Sequence, residues 1–253
     1  MNILVSNDDG WGMGGIMALI KALAPLGHID VVAPEGPRSG AGASLTIGKP
    51  LQLRALGRVV EDLDVDVYLT NGTPSDCVKL ALNTVYAKKK CKPDLIASGI
   101  NHGSNTSINS VYSGTLGICR VGAEHDILSI GFSLCDHSLE ADFSEFATCI
   151  PDLVKELSQR ERPYGCFYNI NAPVGKLEGI QYTRQCKGWW TKELDLYRNE
   201  NGNEMYMLVG EFVNAEPDQT DTDEWAVNHH KISITPMTVD STMHEDNRVF
   251  LIK

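Results

Sequence analysis

The sequence predicts an α/β protein, a doubly wound and mostly parallel sheet followed by a β-rich extension. Three observations carry that prediction. Short apolar runs alternate with segments of helical periodicity through the first 165 residues, the pattern of strand–helix–strand units. Polar loops rich in glycine and asparagine follow several of these runs, where open parallel sheets bind ligands. Beyond about residue 165 the texture changes to short strand candidates separated by polar loops. Residues 1–165 are therefore expected to form a catalytic core. Residues 166–253 are expected to complete the sheet and to contribute oligomer contacts.

Residues 2–6 (NILVS) are a short apolar strand, and a glycine-rich loop follows over 7–15. Ile16, Met17, Leu19, Ile20 and Leu23 then recur at helical spacing until Pro25 and Gly27 stop the helix. Residues 29–33 are a second strand and 34–42 a second polar loop. A hairpin is expected over 49–60, and a strand over 65–69. Thr73 reads as an N-cap with Pro74 at the first helical position of a helix running to about Lys90. Residues 95–98 form the next strand, 99–113 a long loop and 114–124 a helix. A strand over 127–132 and a helix over 142–159 finish the core. Strands are expected in the extension over 167–170, 180–182, 205–209 and 231–234.

Composition narrows the function. The formal charge of −11 sets the overall field against polyanions, so duplex nucleic acid is not an expected partner. A small anionic substrate then needs local help from a cation or from backbone N–H groups. No segment approaches the roughly 18 apolar residues that span a bilayer, so no membrane association is expected. The N-terminus lacks the basic region and apolar run of a signal peptide. Seven scattered cysteines without a C-x-x-C pair argue against a disulfide framework and a cysteine zinc site. The expected location is the cytoplasm, with reduced thiols. A P-loop, a dinucleotide fingerprint at the helix entry and a G-x-S-x-G elbow are all absent.

Four candidate segments fall beyond the carboxyl ends of the predicted strands: Asp8 and Asp9 after the first, Ser39 after the second, Asn71 to Ser75 after the 65–69 strand and Asn101 after the 95–98 strand. Gly10 permits the turn that lets both adjacent carboxylates face one point. Two carboxylates in a cleft repel each other, and a divalent cation with oxygen ligands removes that penalty. The competing reading makes Asp8 a helix cap and Asp9 a solvated carboxylate. Tyr112-Ser113-Gly114-Thr115 opens a helix with free N–H groups and hydroxyls, either a phosphate cradle or an ordinary N-cap by Ser113. His102 lies on the same rim as a candidate for contact with substrate or a reaction proton. Trp189-Trp190 suits packing or a subunit contact better than stacking on a base.

Several blocks together resemble the SurE family, stationary-phase survival proteins that act as 5′/3′-nucleotidases. They are Asn7-Asp8-Asp9-Gly10, Arg38-Ser39-Gly40, Gly72-Thr73-Pro74-Ser75-Asp76-Cys77-Val78, Gly99-Ile100-Asn101, Asn105, Tyr112-Ser113-Gly114-Thr115-Leu116-Gly117 and Ile232-Ser233-Ile234-Thr235-Pro236. The resemblance covers nearly the whole chain in order. It implies a Rossmann-like fold and one divalent metal ion per subunit, Mg²⁺ or Mn²⁺, held by Asp8, Asp9, Ser39 and Asn101. It also implies phosphate contacts from Asn105, Ser113, Gly114 and Thr115, and homodimers or homotetramers formed partly by exchange of C-terminal elements. The implied reaction is hydrolysis of nucleoside 5′-monophosphates, with 3′-monophosphates as further substrates and a metal-activated water as nucleophile. Val121 replaces a usual glutamate, and Met207 stands where tryptophan is common. Two rival readings are a phosphatase with an aspartyl-phosphate intermediate and a non-catalytic nucleotide sensor.

Overall fold

The computed structural model describes residues 1–60 and 62–242. Thirteen strands and seven α-helices are ordered β1 (Asn2–Ser6), α1 (Gly14–Leu23), β2 (His28–Pro34), β3 (Leu53–Gly57), β4 (Val65–Thr70), α2 (Pro74–Leu80), α3 (Ala87–Lys89), β5 (Leu95–His102), α4 (Asn109–Tyr112), α5 (Gly114–Glu124), β6 (Leu128–Leu134), α6 (Ser144–Ser158), β7 (Cys166–Ala172), β8 (Gly179–Tyr182), β9 (Gly188–Thr191), β10 (Leu194–Arg198), β11 (Glu204–Leu208), β12 (Glu211–Asn214), α7 (Asp223–Asn228) and β13 (Lys231–Thr238).

Nine strands form one sheet in the order β3-β4-β2-β1-β5-β6-β7-β13-β8. β1 pairs in parallel with both β2 and β5. The chain therefore winds outward in one direction through β2 and β4, and in the other through β5, β6 and β7. The boundary between β1 and β5 is the switch point of the sheet, where adjacent loops diverge and leave a crevice. Two apolar clusters cover the two faces. Ile3 and Val5 pack with Ile16, Leu19 and Ile20 of α1 and Phe146, Ile150 and Leu153 of α6. Leu4 and Val32 pack with Cys77 and Val78 of α2 and Ile118 and Val121 of α5. Val121 sits fully in this apolar contact, which explains how the chain tolerates valine where a charged residue was expected.

α2 starts as the sequence predicts. Thr73 accepts from the Asp76 backbone N–H at 3.1 Å, and Asp76 accepts from the Thr73 N–H at 2.9 Å. That reciprocal capping box satisfies two N–H groups at the helix start. A π-helical stretch, Ala81–Tyr86, links α2 to α3.

Four local expectations are corrected. The 49–60 hairpin is a single strand, β3, laid antiparallel on the edge strand β4. The 99–113 loop is part strand and part helix, because β5 continues to His102 and α4 forms one turn. The extension contains four elements that were not expected: β9, β10, β12 and α7. The strand at 231–234 reaches Thr238 and pairs antiparallel with β7 along its length. β8 then adds in parallel to β13. Among the described residues, no helix is long and apolar enough to cross a membrane, and the seven cysteines are free thiols.

Candidate functional site

Asp8 and Asp9 leave β1 at the switch point. Gly10 turns the chain there with φ +96°, a conformation that disfavours side-chain-bearing residues. The following loop is tied back by Arg38, whose N–H donates to the Asp8 carbonyl at 2.7 Å. From the other side β5 loses register with β6 between Ser98 and Asn101. Such an irregularity bends a strand and re-aims its side chains. The result is one open hollow of about 280 Å³ lined by Asp8, Asp9, Ser39, Asn101, His102, Asn105 and Ser113, and also by Gly40, Asn109, Tyr112 and His137. The loops after β1, β2 and β5 meet there. The 71–75 segment after β4, expected on the same rim, does not line the hollow, because its Thr73 is engaged with Asp76 in capping α2.

Asp8 is buried, and its Oδ1 accepts from the Thr115 hydroxyl at 2.6 Å. Burial raises its pKa to about 6, and the neighbouring Asp9 carboxylate pushes the same way. Hydrogen bonds from Thr115 pull against both. Asp9 is half-buried and accepts from the His102 backbone N–H at 3.3 Å. Burial raises its pKa too, opposed by that hydrogen bond. Asn101 donates through Nδ2 to the Gly103 carbonyl at 2.8 Å, which leaves its Oδ1 available as an acceptor. Ser39 is exposed at the mouth.

α5 points its N-terminus at this hollow. A Cβ at Gly114 would lie 2.7 Å from the Asp8 Cβ, so only glycine lets the helix start come this close. Ser113 caps the helix, accepting from the Leu116 N–H at 3.1 Å, and still has its own O–H to donate. Thr115 is fully buried behind Asp8 and holds the carboxylate; its side chain does not face the hollow. Asn105 lies against the wall, with Nδ2 donating to the Ser133 hydroxyl at 2.8 Å. His102 lines the hollow, but its ring Nδ1 donates to the Ser138 carbonyl at 2.8 Å, and the ring meets Phe143 edge-on at 4.9 Å. Its backbone N–H is what reaches Asp9.

The sequence reading missed Asn109, Tyr112 and His137 as site residues. His137 had one available signal: it follows the carboxyl end of β6, the same rim that supplied the other candidates. Trp190 packs on Phe212 and donates Nε1–H to Asn109 at 2.8 Å, so it supports α4.

The donor set suits a hard divalent cation. Its atoms are two carboxylates, a hydroxyl and an amide oxygen, the oxygen ligands such ions take. Among the described residues, no lysine or arginine lines the hollow to offset the two desolvated carboxylates. A second group, His28, Asp30 and Asp66, offers three ligand atoms within 4.8 Å of one another at the opposite end of the sheet. There the Lys89 ammonium already lies 2.7 and 2.8 Å from the two Asp30 oxygens and 3.0 Å from His28 Nε2. A side-chain cation thus fills the place an ion would take.

These features define a class: a doubly wound α/β protein whose switch-point crevice is lined by oxygen ligands and faced by a helix N-terminus. The chain belongs to the SurE family, described as survival protein SurE, whose model matches residues 3–192. It is 41% identical over 243 residues to the 5′-nucleotidase SurE of Phocaeicola vulgatus, covering 96% of this chain and 92% of that one. It is 42% identical over 245 residues to the 5′-nucleotidase SurE of Flavobacterium psychrophilum, covering 96% and 93%. The crystal structure of the SurE protein from Aquifex aeolicus superposes with a TM-score of 0.81 at 34% identity, covering 97% and 96%.

Proposed function

We propose that this chain is a metal-dependent phosphomonoesterase that hydrolyses nucleoside 5′-monophosphates, and also 3′-monophosphates, to nucleoside and phosphate. The observation that carries the reading is the meeting of Asp8, Asp9, Ser39 and Asn101 around one hollow at the N-terminus of α5. The names of its 5′-nucleotidase relatives support the substrate class.

Asp8, Asp9, Ser39 and Asn101 would hold one Mg²⁺ or Mn²⁺ ion. Bound there, the ion supplies a Lewis acid for a phosphoryl oxygen and lowers the pKa of water. The chain supplies the rest. Thr115 fixes one Asp8 oxygen, and the Gly10 turn presents Asp9 beside it. Asp9, the more open carboxylate, accepts the proton of the attacking water. The free N–H groups of the α5 start, the Ser113 hydroxyl and Asn105 receive the phosphoryl oxygens as negative charge shifts onto them. The water oxygen forms a bond to phosphorus, the ester P–O bond breaks, and the departing nucleoside oxygen takes a proton from solvent. His102 contributes its backbone N–H to Asp9. An aspartyl-phosphate route fits less well, because Asp8 is buried with an oxygen committed to Thr115.

The oligomer and location belong to the same proposal. β10 and β11 form a separate two-stranded ribbon in which Leu196, Tyr206, Met207 and Leu208 are all exposed. Exposed apolar patches of this kind mark interaction sites. We assign this ribbon, within a 166–253 extension, to a homodimer or homotetramer contact. The free thiols support a cytoplasmic location.

The test is turnover of a panel of nucleoside monophosphates with Mg²⁺, with Mn²⁺ and with EDTA. Metal-dependent release of phosphate supports the reading. Undiminished turnover in EDTA would refute it.

A further inference from the structure

β7 is buried along its whole length between β6 and β13, yet it carries two amides, Asn169 and Asn171. They are 1% and 0% exposed and share one face of the strand. A buried amide is costly unless its groups are hydrogen-bonded, and apolar residues of similar size fill a strand core more cheaply. Stability alone does not account for the pair.

Their hydrogen bonds converge on one residue. The Asn105 backbone N–H donates to Asn171 Oδ1 at 2.7 Å. Asn169 Nδ2 donates to the Asn105 backbone carbonyl at 2.8 Å. Asn171 Nδ2 donates to Asn169 Oδ1 at 3.0 Å, which orients both amides for those two contacts. From β6, the Ser133 hydroxyl accepts from Asn105 Nδ2 at 2.8 Å. Ser133 and Asn171 are register partners on adjacent strands, so the three side chains form one polar row beneath the loop. Nδ2 of an amide carries two hydrogens. Ser133 holds one and leaves the other for the hollow.

We propose that Asn171, acting with Asn169 and Ser133, is a positioning residue that fixes Asn105 as a donor to the phosphoryl group. This rests on the phosphatase reading above. Asn169 and Asn171 grip both polar groups of the Asn105 backbone, and Ser133 sets the rotation of its side chain. None of the three lines the hollow. Their influence on turnover passes through Asn105.

The discriminating experiment is a double-mutant cycle in the full-length, Mn²⁺-loaded chain. Asn171→Asp keeps an acceptor for the Asn105 N–H and loses the donor that orients Asn169. It is expected to lower kcat/KM and to weaken competitive inhibition by inorganic phosphate about tenfold, as displaced catalytic groups do. In an Asn105→Ala background the same change is expected to cost less than about twofold, because coupled residues are not additive. Mn²⁺ affinity is expected to stay within about twofold of wild type, since the metal ligands are untouched. Ser133→Ala, a smaller change, is expected to show the same dependence on Asn105. Equal losses in both backgrounds would make the row merely structural and overturn the proposal. So would unchanged phosphate inhibition and turnover in both variants. A wild-type chain that binds Mn²⁺ but releases no phosphate from any nucleotide would instead overturn the phosphatase reading, and the proposal with it.

Discussion

Replacing Asp8 by asparagine is expected to make the metal-free protein more stable while destroying its activity. Burial holds the Asp8 carboxyl at about 6 against an ordinary 3.8. That difference of about two pKa units corresponds to about 3 kcal/mol of unfavourable free energy in the ionised folded state. Asparagine keeps an oxygen to accept from Thr115, but the bond is no longer charge-assisted, which costs back about 1 kcal/mol. A net gain of about 2 kcal/mol remains, equivalent to roughly 4–8 °C in Tm for a domain of this size. The pH dependence follows from the direction of the shift. The folded-state pKa lies above the unfolded one, so Asp8 contributes its stability below about pH 4 and loses it as the pH rises through about 6. Thermal unfolding of both proteins in EDTA, from about pH 4 to pH 8, measures the gap. The variant is expected to lead at high pH, with the lead closing at low pH. Turnover with metal is expected to fall at least about 100-fold. Equal Tm values at high pH in EDTA would refute the picture of a desolvated, uncompensated carboxylate.

Four further outcomes follow from the same geometry. Thr115→Val keeps the shape and removes the hydroxyl bond to Asp8. It is expected to destabilise the EDTA-treated protein by about 1–2 kcal/mol at neutral pH, read by urea unfolding. Gly114→Ala puts a methyl group against the buried Asp8 and is expected to cut kcat/KM at least about tenfold and to lower Tm, since overpacking of this kind costs about 1–3 kcal/mol. Asp223 is buried at the start of α7 and accepts from the Ser107, Cys186 and Glu224 N–H groups at 2.9, 2.9 and 2.8 Å. Asp223→Ala is expected to lose about 2–4 kcal/mol by orphaning buried donors, measured by denaturant unfolding. Lys89→Met leaves the buried Asp30 carboxylate without its ammonium and is expected to cost about 3 kcal/mol while turnover per folded molecule stays at the wild-type level.

The core was legible because its signals are local and repeated. The apolar runs of β1, β2 and β4, the Thr73–Asp76 cap and the helix that starts at Gly114 each follow from residues within one turn or one strand. The rim location of Asp8, Ser39 and Asn101 followed from strand polarity alone. What escaped had weak or non-local causes. α4 is a single turn, too short to show a period. β3 pairs with β4, and the period-2 pattern does not say which partner a short strand takes. β9 and β12 are four-residue strands held by contact with each other, including Trp190 against Phe212. α7 did carry a signal that went unread: Thr222 caps it, and Asp223 and Glu224 occupy its first turn. The grip of Asn169 and Asn171 on Asn105 joins residues more than sixty positions apart, and nothing in the local pattern points to it.

The meeting of loops from β1, β2 and β5 around a single ion is tested most directly by counting Mn²⁺ bound per chain, by electron paramagnetic resonance, in the wild type and in an Asp8→Asn, Asp9→Asn double variant. One ion in the wild type and none in the folded variant is the expected result. An ion retained by the variant, or none bound by the wild type, would contradict it.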